Sequence, residues 1–85
     1  MKLLKFQASW CQPCKVLTAA MQGMDIPYPV DIVDAEENED ILSKYNIRSV
    51  PALVLVNDDG SEVDRLVGAS SKEQVLKFLK ANEDF

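Results

Sequence analysis

The 85-residue sequence predicts a single α/β domain in which strands and helices follow the order βαβαββα. Short apolar runs, of the length typical of buried strands, alternate with segments whose apolar residues recur at helical spacing. Clusters of proline, glycine and asparagine separate these segments. No part of the chain has the composition of a linker, a repeat or a disordered region, so we expect one domain over residues 1–85.

The first half of the chain predicts a strand, a helix and a second strand. The apolar run at residues 3–6 suits a buried strand, although "MKLLKF" superficially resembles the start of a signal peptide. A helix is expected from Gln12, because Pro13 suits a first helical turn. Its apolar residues then recur at helical spacing, at Val16, Leu17, Ala20, Met21 and Met24. Two prolines follow, and "VDIV" at residues 30–33 predicts the second strand.

The second half predicts a helix, a hairpin and a last helix. The second helix is expected to begin with the acidic residues among positions 36–40 and to have Lys44 near its end, charges that suit the helix dipole. Asn46 ends this helix. The run "VPALVLV" at residues 50–56 predicts a central strand buried on both faces. The turn "NDDG" then leads into an alternating strand that Gly68 ends. A capping box begins the last helix, formed either by Ser70 with Glu73 or by Ser71 with Gln74.

Charge and composition exclude several classes of function. The formal net charge of −5 argues against a nucleic-acid partner, since that affinity depends largely on clustered lysine and arginine. No stretch approaches the roughly 20 apolar residues that span a bilayer. We therefore expect a cytoplasmic monomer without membrane contact, in a compartment where a dithiol is more often catalytic or metal-binding than structural.

The two cysteines, Cys11 and Cys14, lie in the segment "ASWCQPCKVL" at the expected start of the first helix. A Cys11 sulfur at the N-cap faces the positive helix end, and the Cys14 N–H is its natural donor because Pro13 has none. About 2 kcal/mol of such stabilisation lowers a thiol pKa by about 1.5 units. We assign Cys11 to nucleophilic attack on a target disulfide and Cys14 to resolution of the mixed disulfide.

Three other interpretations of the pair are weaker. A structural staple closing about 4 residues adds only about 2 kcal/mol of stability. A zinc site needs four ligands, and the chain has no histidine and no third cysteine, so no metal is expected. Two inert buried thiols would need neither the proline nor the helix start. The βαβ context makes the redox interpretation the strongest.

These residues resemble the thioredoxin family. "WCQPCK" is similar to the family's "WCGPCK" active site, and "YNIRSVPALVLVNDDGSEVDRLVGASSKEQVLKFL" is similar to its C-terminal half. The resemblance implies a minimal thioredoxin fold with a four-stranded mixed sheet flanked by three helices, without the family's N-terminal strand and helix. It also implies a cis peptide bond before Pro51, and a substrate surface beside Cys11 formed by Trp10, Val50, Pro51, Val67, Gly68 and Ala69. Burial in the core is the competing interpretation, nearly as strong for Val67.

The chain departs from the family pattern at three positions. Lys5 occupies the position of a usual buried aspartate, and Ile32 replaces its usual lysine neighbour. Lys5 would then favour the thiolate as a cation or act as a base, unless its stem bends out to solvent. Gln12 replaces a usual glycine between the cysteines, where residues tune the redox potential, so Lys5, Gln12 and Pro13 are candidate tuning residues.

The resemblance implies a protein-disulfide reductase that needs no cofactor of its own. A separate flavin-dependent thioredoxin reductase would recycle it with NADPH, and its substrates would be disulfide-containing proteins. One alternative is a glutaredoxin-like enzyme that uses glutathione, although the motif is not the Cys-Pro-Tyr-Cys of glutaredoxins. Another is an accessory subunit whose role does not depend on redox chemistry.

Overall fold

The computed structural model describes residues 1–83, in which three helices flank one four-stranded sheet. The elements are β1 (Lys2–Gln7), α1 (Gln12–Met21), β2 (Val30–Asp34), α2 (Glu39–Lys44), β3 (Ala52–Val56), β4 (Glu62–Val67) and α3 (Lys72–Ala81). The strand order is β2-β1-β3-β4, with β1 and β2 parallel and the other pairs antiparallel. This confirms the predicted βαβαββα order and mixed sheet. Residues 84–85, which the predicted domain included, lie outside the described residues.

The sheet has an apolar cluster on each face, because successive side chains of a strand point to opposite sides. On one side, β1 and β3 pack against α1 and α3; the buried members are Leu3, Leu17, Met21, Leu53, Leu55, Val75, Phe78 and Leu79. On the other side, α2 covers Leu4, Phe6, Val33, Ala52, Val54 and Val56. Every residue of β3 is buried, as predicted for the central apolar run. Burying a side chain such as Phe6 contributes about 1.5–3 kcal/mol.

Three element boundaries differ from the prediction. α1 ends at Met21, so Met24 lies outside the helix that its spacing suggested. β3 begins at Ala52, after the proline, and α2 begins at Glu39, three residues later than the first acidic residue suggested. The reason for the later helix start is a turn closed by Asp34. Its Oδ1 accepts the Glu36 N–H at 2.8 Å, and its carbonyl accepts the Asn38 side-chain amide at 2.9 Å. Such side-chain bonds hold the backbone outside the helix.

The predicted helix-end signals are confirmed. Ser71 with Gln74 forms the capping box of α3, which selects one of the two predicted pairs. Asn46 follows α2 with φ of 53°, in the left-handed region that asparagine tolerates. None of the helices in the described part of the chain is long and apolar enough to cross a membrane.

Candidate active site

The cysteine pair lies where the loop after β1 enters α1. Cys11 is the N-cap of α1, with extended backbone angles, and Cys14 lies in the first turn. The two residues form a disulfide, with their Cα atoms 5.2 Å apart. The Cys14 N–H donates to Cys11 Sγ at 3.1 Å. The predicted N-cap role of Cys11 and its hydrogen-bond donor are both confirmed.

The local sequence directs the positive end of α1 at the Cys11 sulfur. Pro13 lies in the first turn and has no N–H, so the first free amide in position is that of Cys14. The first turn contains no acidic side chain that would compete for the helix dipole. Gln12 is exposed at the start of the helix. The helix end and the Cys14 N–H are therefore both directed at the sulfur of Cys11.

The loop before β3 closes the other side of the sulfurs. The peptide bond between Val50 and Pro51 is cis, as the resemblance implied, and Cys11 Sγ lies 3.7 Å from the Val50 carbonyl oxygen. Cys11 and Cys14 are each 3% exposed in this disulfide form. Exposure therefore does not distinguish the two sulfurs, and the helix cap is the feature that does.

The predicted substrate surface is brought together around this loop. Trp10 is 70% exposed and Val67 is 50% exposed, so the interpretation of Val67 as a core residue is wrong. The Gly68 N–H donates to the Pro51 carbonyl at 2.9 Å, which places the end of β4 beside the cis-proline loop. Pro51 itself is fully buried, while Ala69 is exposed and Val50 is half-buried.

Lys5 lies inside the protein on the α1 side of β1 and is only 4% exposed. Its Nζ donates to Gln7 Oε1 at 2.5 Å and to Thr18 Oγ1 at 2.6 Å. The interpretation that its stem bends out to solvent is therefore wrong. Burial lowers the pKa of Lys5 from its ordinary value. The strand register places Ile32 directly beside it on β2, as the family comparison suggested.

Gln7 and Thr18 are two residues of this region that the sequence reasoning missed. Thr18 lies four residues after Cys14, and its hydroxyl donates to the Cys14 carbonyl at 3.0 Å. Gln7 follows Lys5 by two residues and therefore shares its face of β1. The signals were the helical and strand periodicities, applied to polar residues as well as apolar ones. Within residues 1–83, no group of three or more histidine, cysteine, aspartate or glutamate residues is arranged to hold a metal ion.

A disulfide between the N-cap and the first turn of a helix, beside a cis-proline loop in an α/β sheet, defines a thiol-disulfide oxidoreductase. Similarity to known proteins supports the same class of protein. The thioredoxin family model matches residues 1–81. The chain is 32% identical to thioredoxin of Chlamydia trachomatis serovar D over 84 residues, covering 95% of this chain and 81% of that protein.

A thioredoxin of Staphylococcus epidermidis is 35% identical over 82 residues, covering 92% of this chain and 78% of that protein. Among solved structures, a mutant thioredoxin from Halobacterium salinarum superposes with a TM-score of 0.84 at 29% identity, covering 98% of this chain and 74% of that one. The chain belongs to the thioredoxin family. Family membership implies disulfide-containing substrates and a thioredoxin reductase as the general kinds of partner.

Proposed function

We propose that this protein reduces disulfides of partner proteins, with Cys11 as the nucleophile and Cys14 as the resolving cysteine. The observation that carries the assignment is the 3.1 Å hydrogen bond from the Cys14 N–H to Cys11 Sγ at the helix N-cap. A charge-assisted bond of this kind, together with the helix dipole, favours the thiolate of Cys11. The thiolate is the form of cysteine that attacks a disulfide.

The reaction has two exchange steps. Cys11 thiolate attacks one sulfur of the target disulfide, forming a mixed disulfide and releasing the other target sulfur as a thiolate. Cys14, as its thiolate, then attacks Cys11 Sγ, so the mixed disulfide breaks and the second target sulfur leaves. Two electrons have passed to the target, and the protein is left in the disulfide form described above.

The cis-proline loop supports a mode of substrate binding. The Val50 backbone faces Cys11, so an extended target segment could pair with it by strand addition. Trp10, Val67, Gly68 and Ala69 would flank that segment and contact its side chains. We further propose a monomer that acts in the cytoplasm and is recycled by an NADPH-dependent flavoprotein reductase, because a reductant dithiol needs a compartment that keeps thiols reduced.

A trapping experiment tests the roles of the two cysteines. Cys14→Ser should accumulate covalent adducts with substrate proteins, because the mixed disulfide at Cys11 is no longer resolved, and a thiol reductant should release them. Cys11→Ser is the matched control and should trap none. Adducts on Cys11→Ser alone would reverse the assignment. Adducts on neither variant, with partner binding retained in both, would favour an accessory subunit instead.

Glutathione redox buffers separate this function from a glutathione-dependent one. After equilibration, alkylation of free thiols and mass measurement, we expect only the dithiol and the disulfide between Cys11 and Cys14. A persistent glutathione adduct on Cys11 would contradict the thioredoxin-type mechanism and support the glutaredoxin-like one.

A further inference from the structure

Lys5 is a buried cation whose hydrogen-bond partners are both neutral. Its Nζ is held by the Gln7 amide oxygen and the Thr18 hydroxyl. Among residues 1–83, none of the ion pairs includes Lys5. Burial of an ammonium group without a counter-ion is unfavourable, because the lost hydration is replaced only by neutral dipoles. Burial accordingly lowers the pKa of Lys5.

The elements packed around Lys5 supply no compensating negative charge. Its strand neighbours are Ile32 on β2 and Leu53 on β3. The pocket on this side of β1 is otherwise lined by uncharged residues, namely Thr18, Met21, Gln22, Ile26 and Val30. The folded disulfide form therefore contains a positive charge without a neighbouring negative group among residues 1–83.

Thr18 connects this charge to the redox pair. Its hydroxyl accepts from Lys5 Nζ and donates to the Cys14 carbonyl, so the ammonium group is two hydrogen bonds from the backbone of Cys14. Thr18, Gln7 and Cys14 also line one common pocket beside the start of α1. Lys5 and Cys14 therefore lie close together, and they are only 4% and 3% exposed, so charges on their side chains interact more strongly than in bulk water.

We infer that Lys5 is a positioning residue for the redox reaction, whose ammonium group takes the cysteine thiolate of the reduced protein as its counter-ion. The disulfide sulfurs carry no charge. When two glutathione thiols reduce the pair, the bond between Cys11 and Cys14 breaks, two electrons and two protons enter, and glutathione disulfide forms. One new thiol then releases its proton to solvent, and the resulting anion and the Lys5 cation attract each other.

This attraction shifts the equilibrium towards the reduced form, so Lys5 makes the protein a weaker reductant than it would be without the charge. The inference rests on the redox activity of the cysteine pair and not on the identity of the partner proteins. It can therefore be tested with glutathione alone, and its failure would leave the trapping experiment on substrate proteins unaffected.

The test compares Lys5→Met with Lys2→Met. Methionine keeps the length of the lysine stem without its charge, and Lys2 is an exposed lysine on the same strand, 3.1 Å from Asp31. We expect the equilibrium constant for reduction by glutathione to fall about tenfold in Lys5→Met, equivalent to about 30 mV for a two-electron couple. Lys2→Met should remain within about twofold of wild type, since its charge is exposed and screened.

Two further measurements exclude a purely structural effect. The pH profile of alkylation should show a higher Cys11 thiol pKa in Lys5→Met. Denaturant unfolding should show that the mutation stabilises the disulfide form more than the reduced form, because only the reduced form loses a counter-ion. Lys5→Gln, which keeps hydrogen-bonding capacity without charge, should shift the equilibrium in the same direction.

An unchanged glutathione equilibrium and an unchanged alkylation profile in folded Lys5→Met or Lys5→Gln would overturn the inference. An equilibrium that moves towards the reduced form in either variant would overturn it as well. An equal change of the glutathione equilibrium constant in Lys2→Met and Lys5→Met would also overturn the inference, because net charge and not the buried position of Lys5 would then cause the change.

Discussion

Helices α1 and α3 are each ten residues long, and each begins at a side chain that accepts the backbone N–H three residues later. At α1, Cys11 Sγ accepts from the Cys14 N–H at 3.1 Å, and at α3, Ser71 Oγ accepts from the Gln74 N–H at 3.2 Å. The surroundings differ. Cys11 is buried with no acidic residue in its helix turn, whereas Ser71 is exposed and Glu73 follows it.

The difference shows how one local geometry serves two purposes. At α3, the capping box and the carboxylate of Glu73 satisfy the free amides and the positive helix end, so the cap contributes only stability. At α1, the first turn has no carboxylate to interact with the positive helix end. Cys11 Sγ accepts the free amide instead, and the cis-proline loop lies against this sulfur. With no competing carboxylate in its first turn, the cap of α1 directs the positive helix end and the Cys14 N–H at a sulfur, which favours a thiolate there.

Cys11→Ser gives α1 the same kind of cap as α3 and should have the largest effect. Disulfide reduction should fall by roughly a thousandfold or more, because the nucleophile is lost. Since serine is a good N-cap, the unfolding free energy should lie within about 1 kcal/mol of that of the reduced wild-type protein. Turnover of a disulfide-containing protein and urea unfolding measure the two effects. Wild-type turnover in this variant would remove Cys11 from the reaction.

Ser71→Ala removes the hydroxyl cap of α3 and should destabilise the protein by about 1 kcal/mol. Because α3 carries no reacting group, the glutathione equilibrium should not change. Urea unfolding of the disulfide form measures the stability, with Ser71→Asp as a control that restores the cap. A loss of redox activity in stable Ser71→Ala would contradict the separation of the two helix starts.

Adding a carboxylate to the first turn of α1, or removing the one in the first turn of α3, should change stability and cysteine reactivity by smaller amounts. Gln12→Glu places a carboxylate beside the cap of α1, so it should stabilise the helix by about 0.3–1 kcal/mol. The same carboxylate opposes the Cys11 thiolate, and alkylation at neutral pH should slow by about twofold to fivefold. Glu73→Gln is the counterpart in α3 and should reduce stability without affecting alkylation. Faster alkylation of Gln12→Glu would contradict this account of the helix end.

The smallest expected effect is a change in the unfolding free energy at alkaline pH, and it arises from Lys5. Burial lowers the pKa of folded Lys5 below its ordinary value of 10.5, so the unfolded chain binds the proton more tightly. Stability of the disulfide form should therefore rise with pH between the lowered pKa and 10.5, relative to Lys5→Met. Below the lowered pKa, the full cost of the buried charge remains. A wild-type to Lys5→Met difference that is constant across this range, in urea unfolding, would contradict a buried ammonium.

The active-site sequence predicted its own geometry unusually well because the interactions are local. The N-cap role of Cys11, the donor at Cys14 and the effect of Pro13 all lie within one helical turn, where backbone geometry leaves few choices. The start of α2 was predicted less well. There the acidic residues suited the start of a helix, but the side chain of Asp34 accepts a backbone N–H of the preceding turn. Sequence alone does not show whether these residues form the helix or the turn.

The sequence by itself determined the order of elements, the apolar faces of the sheet and the position of the cysteines at a helix start, because periodicity and capping act over a few residues. Only the tertiary structure decided the environment of Lys5, which depends on Thr18, 13 residues away. It also decided that Val67 is exposed while Pro51 is buried. A long lysine stem can reach solvent or stay inside, and an apolar residue at a strand end can face either way. Contacts between distant segments make that choice.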